Sequence, residues 1–61
     1  MNAKQNLIKI QMGSDSRIPA SAIGYVADLS ADASPAIISD RLNMLSRYVP
    51  ELVTEFQAAA E

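Results

Sequence analysis

The chain opens with a short alternation of apolar and polar side chains and then changes period. In Leu7-Ile8-Lys9-Ile10-Gln11-Met12, residues Ile8, Ile10 and Met12 fall on one side of a period-two pattern, with Leu7, Lys9 and Gln11 on the other. This spacing predicts a β-strand over 7–12. Gly13-Ser14-Asp15-Ser16 favours a turn, and from Pro19 the apolar positions Ala22, Ile23, Val26, Ala27 and Leu29 follow a helical stripe. A first helix over 19–30 is expected, weakened at Gly24. Ser34-Pro35 is a sharper start signal, a hydroxyl cap followed by proline where no N–H donor is needed. Behind it Ile37, Ile38, Leu42, Leu45 and Val49 share one face, predicting a helix over 35–49. Pro50 ends that run, and Leu52, Val53 and Phe56 give a short terminal helix over 51–59 its buried side.

A lone strand leaves backbone N–H and C=O groups unpaired along both edges, so the pattern calls for a strand from a second molecule. Chain length agrees, because about 60 residues bury only about 60% of the surface the unfolded chain exposes. The expected architecture is therefore mostly α with one N-terminal β-strand, a single domain over 1–61. It would be an intertwined homodimer with a two-stranded antiparallel ribbon, its core built from Ile8, Ile10, Ile23, Val26, Ile38, Leu42 and Leu45.

Composition removes several functions. With no cysteine and no histidine there is no disulfide, no thiolate metal site and no neutral-pH base, and neither metal nor cofactor is expected. Ser14, Ser34 and Ser39 have no histidine to activate them, and the carboxylates stand singly, so an enzyme is not expected. No apolar run approaches the roughly 20 residues of a membrane helix, and Asn2, Lys4, Gln5 and Asn6 do not resemble a secretory leader. The expected location is the cytoplasm, with no membrane contact. Net charge is −2 but uneven. Lys4, Lys9 and Arg17 against Asp15 leave the first seventeen residues at +2. Arg41 and Arg47 against Asp28, Asp32, Asp40, Glu51, Glu55 and Glu61 leave the rest at −4. Such asymmetry suggests an arm for a polyanion.

The order strand, helix, short turn, capped helix, together with Ala33-Ser34-Pro35-Ala36-Ile37-Ile38-Ser39-Asp40-Arg41-Leu42 and a small residue at Ala27, resembles the ribbon-helix-helix DNA-binding proteins of the Arc, MetJ and CopG superfamily. The resemblance covers residues 7–49. It departs from that family in the longer Gly13–Arg17 connector and in Asp32-Ala33 where a glycine often stands. It implies a sequence-specific transcriptional regulator or repressor of phage or plasmid type. A dimeric ribbon would enter the major groove of double-stranded DNA, with Lys9 and Gln11 meeting base edges and Leu7 offering an apolar contact. Ser34 and Ala36, at the start of the later helix, with Lys4 and Arg17, would hold phosphates.

Two alternatives stand beside it. The segment Ser34–Asn43 also resembles the recognition helix of lac-repressor-type helix-turn-helix proteins, which would make 35–49 the DNA-reading element and turn Pro35, Ala36, Ser39 and Asp40 to the groove. From a different class, the chain could be a small acidic protein-interaction module, inhibitor or antitoxin-like. Its partner would be bound through the C-terminal segment 51–61, with Leu52, Val53 and Phe56 among Glu51, Glu55 and Glu61.

Overall fold

A computed structural model describes all 61 residues and shows helices joined by short connections, with no strand. Helix α1 spans Ala3–Gly13, a 3₁₀ turn at Ala20–Ala22 leads into α2 at Ile23–Ala27, α3 spans Pro35–Leu45, and α4 spans Pro50–Ala59. The expected β-strand over 7–12, and with it the ribbon-helix-helix architecture, is thus replaced by an all-helical fold. The cause is at the N-terminus. The amide of Gln5 donates to Asn2 Oδ1 at 2.8 Å while the amide of Asn2 donates to Gln5 Oε1 at 3.1 Å, a reciprocal capping box that starts a helix upstream of the apolar run. Ile8 and Met12 are then one turn apart on one face, and Ile10 lies on the other side of the cylinder.

The other elements lie near their expected places with different ends. The first expected helix, 19–30, is a 3₁₀ turn and the five residues of α2. Neither start carries a side-chain cap. At α3, Ser34 Oγ accepts from the amide of Ile37 at 3.2 Å and Pro35 occupies the first turn. α3 stops at Leu45 rather than Val49: residues 46–48 tighten into turns in which the Arg47 and Tyr48 amides donate three residues back, to Met44 and Leu45, and Val49, the residue before a proline, leaves helical geometry at φ −132°, ψ 61°. Pro50 then opens α4 with Glu51 in its first turn, where the helix dipole favours a carboxylate.

Twelve buried apolar residues form one core: Ile8 and Met12 of α1, Ile18, Ala22, Val26, Leu29, Leu42, Leu45, Val49, and Leu52, Val53 and Phe56 of α4. Three of them, Ile18, Leu29 and Val49, come from the connections, so the loops are pinned by their own side chains. α1 packs on α4 and α2, and α3 on α2 and α4. The accessible surface is 3802 Å² and the radius of gyration 10.2 Å. A folded monomer of this mass and length is expected at about 3,900 Å² and about 10.5 Å. With no open strand edge and an ordinary monomer surface, the reason for an intertwined dimer is gone. Ile8, Val26, Leu42 and Leu45 are buried within one chain, Ile38 is half-buried, and Ile10 and Ile23 are exposed.

Candidate functional site

The rotation of α1 decides which side chains this molecule exposes. Gln5 is the only buried polar residue, and its Nε2 donates to the Phe56 carbonyl at 3.3 Å, while Asn2 Nδ2 donates to the Ala59 carbonyl. The capping box is therefore also a clamp between the start of α1 and the end of α4. No buried polar side-chain atom is left without a partner. With Gln5, Ile8 and Met12 held inward, Leu7 and Ile10 point out, 67% and 61% exposed. Spaced three apart, they are neighbours on the outward surface of α1. Across a groove of about 330 Å³ lies Ile23 of α2, 42% exposed. Asn6, Lys9, Ile10, Gly13, Val26 and Ala27 complete that groove.

Charges are distributed to match. Asp15 Oδ1 accepts from the Arg17 amide at 2.9 Å and from Arg17 Nε at 3.0 Å, Asp15 Oδ2 accepts from Arg17 Nη2 at 2.9 Å, and the same Nη2 donates to Glu51. These bonds lower the Asp15 carboxyl to about 2 and also lower Glu51, both chiefly through the Arg17 guanidinium. Arg41 Nε donates to Asp28 at 2.8 Å and its Nη1 to Asp40 at 2.6 Å, which raises the guanidinium pKa, the Asp28 bond having the larger effect. Lys4, Lys9 and Arg47 enter no ion pair.

The residues expected to meet DNA are regrouped. Leu7, Lys9 and Gln11 would share one face of a strand; on the helix Leu7 and Gln11, four apart, remain neighbours, while Lys9, two from each, points to another side. Leu7 and Gln11 are exposed, and Lys9 is half-buried at the groove. Ser34 is used as the α3 cap, Ala36 is exposed beside it, Lys4 stands in the first turn of α1, and Arg17 is taken up by Asp15 and Glu51. The helix-turn-helix alternative fares little better. Residues 28–34 separate α2 from α3, where that motif needs a turn of about 3–4 residues. The exposed residues Pro35, Ala36, Ser39 and Asp40 offer no cation. The expected partner surface at the C-terminus is also displaced, since Leu52, Val53 and Phe56 are core residues of the chain itself.

The sequence places Leu7 on an outward face but assigns Ile10 and Ile23 to a core, and so misses the exposed apolar surface the three form, with Gln5 and Asn2 behind it. The signal was present as Asn2-x-x-Gln5, a capping pair three residues apart preceding an apolar run. A second concavity of about 360 Å³ opens between α1, α3 and α4 over Ile38, Leu42 and Phe56, and no charged side chain lines it. No group of acidic side chains is placed to hold a metal ion, and no helix is long and apolar enough to cross a membrane. No protein family, curated protein or solved structure matches this chain.

Proposed function

We propose that this chain is a small cytoplasmic protein-interaction module that binds another protein through the outward face of α1 and the adjoining start of α2. The observation that carries the reading is the pair Leu7 and Ile10, both more than half exposed on consecutive turns of a helix whose inner face is already filled. Single exposed apolar residues are ordinary, but contiguous ones beside a groove are the usual mark of a binding surface. Helix faces of this kind offer a partner side chains fixed by secondary structure, so little conformational entropy is lost on docking. DNA binding is less well supported. Duplex affinity rests on neutralising phosphates, and Arg17 and Arg41 are already engaged by carboxylates.

The test compares what wild type and a Leu7→Ser/Ile10→Ser double variant recover from cells. Both positions are exposed, so the variant keeps its helical circular dichroism. Loss of the recovered protein from the variant is the expected result. Equal recovery would place binding elsewhere on the molecule, and recovery of nuclease-sensitive nucleic acid in place of protein would revive the DNA reading.

A further inference from the structure

We infer that the occupant of this face is an acidic amphipathic segment of another protein, its apolar side chains seated on Leu7, Ile10 and Ile23 and its carboxylates meeting Lys4 and Lys9. The inference rests on the protein-binding reading above and adds the chemistry of the partner. α1 is Ala-Lys-Gln-Asn-Leu-Ile-Lys-Ile-Gln-Met-Gly, without a single acidic residue, in a chain of net charge −2. Both lysines of the whole sequence are on it. Lys9 lines the groove shared by Ile10 and Ile23, and Lys4 precedes Leu7 by three residues, one turn along the surface. The apolar ridge is thus flanked by cations and by no anion of its own helix.

Neither lysine makes a charge interaction within the isolated fold. Lys4 sits in the first turn of α1, where the helix dipole disfavours a positive charge, and neither lysine is paired. Arg17 and Arg41 each bridge two carboxylates, whereas Arg47, like the two lysines, is unpaired. A second copy is a poor occupant of the same face. Two-fold pairing sets a patch against itself and would bring the lysine-flanked ridges together without a carboxylate between them.

Two synthetic amphipathic helical peptides test this, identical in leucine anchors at i, i+3, i+4 and i+7 and flanked by glutamate in one and lysine in the other. Each is titrated into the isotope-labelled chain. The glutamate peptide is expected to shift the amides of Leu7, Ile10 and Ile23 and to bind about fivefold more tightly at low salt, the sum of two exposed ion pairs. The preference should shrink toward equality in about 1 M salt, where charges are screened beyond about 3 Å. Lys4→Glu/Lys9→Glu should invert it.

Equal binding of both peptides at those amides would overturn the acidic partner while leaving a protein-binding face. No shift at those amides with millimolar glutamate peptide would also overturn it. So would a concentration-dependent dimer abolished by Leu7→Ser/Ile10→Ser, or binding to anionic phospholipid vesicles but to neither peptide.

Discussion

Two isoleucines, two residues apart, separate the helical account from the strand pattern that the same letters suggest. Ile8 is 7% exposed and Ile10 is 61% exposed, although on a strand they would share one buried face. Truncation to alanine removes three carbon groups at either site. At about 0.8 kcal/mol per buried group, nearly complete burial gives about 2.2 kcal/mol for Ile8→Ala. The cavity left behind moves this to roughly 2–4 kcal/mol. At Ile10 about two-fifths of the side chain is covered, so the transfer loss is about 0.9 kcal/mol. Alanine's better helix propensity returns roughly 0.4 kcal/mol at both sites, leaving about 0.5 kcal/mol at Ile10 and roughly 1.6–3.6 kcal/mol at Ile8. A domain of this length has about 3–9 kcal/mol in total. Urea unfolding followed by circular dichroism reads the difference. With a slope of about 1 kcal/mol per molar, Ile8→Ala should lower the midpoint by about 2 M or more, and Ile10→Ala by about 0.5 M. Equal losses at the two sites would refute the rotation assigned to α1.

Backbone chemical shifts should be helical throughout residues 7–12, and extended values there would restore a strand. Gly24 has a negative φ and open space where a Cβ would stand, so Gly24→Ala should raise thermal stability, by about 0.5–1 kcal/mol for a helical position. Asn2→Ala removes the α1 cap and should cost about 1 kcal/mol in the same assay. For Asp15 and Glu51, carboxyls lowered in the fold stabilise it fully above their unfolded pKa values near 4. That contribution is lost as pH falls through the folded values, about 2 for Asp15, so stability should decline below about pH 4. In Arg17→Gln the Asp15 titration, followed by NMR, should return toward about 4.

Much of the chain's second half was legible because its signals are local and redundant. Ser34-Pro35 and Val49-Pro50 each fix a helix start by cap chemistry or by the geometry proline imposes, and Leu42 and Leu45 are buried as their spacing requires. The first half misled because a six-residue alternation of apolar and polar side chains satisfies two periods at once. Ile8 and Met12 are four apart and fit a helix as well as a strand. Asn2 and Gln5 decide between them, and a capping pair carries no hydrophobic period. The end of α2 was overestimated because Leu29, which continues the helical stripe, is buried from the loop. The candidate face followed the same error. Exposed Leu7 and Ile10 are visible only once the inner face of α1 is known to be Gln5, Ile8 and Met12.

The direct test of a protein-binding α1 face is site-specific photo-crosslinking in cells, with a photoreactive amino acid at position 7 or 10 and, as control, at exposed Thr54 of α4. A discrete protein adduct from positions 7 and 10, absent from position 54, is the predicted result. Adducts to nucleic acid, the same protein from all three positions, or no adduct from positions 7 and 10 would contradict it.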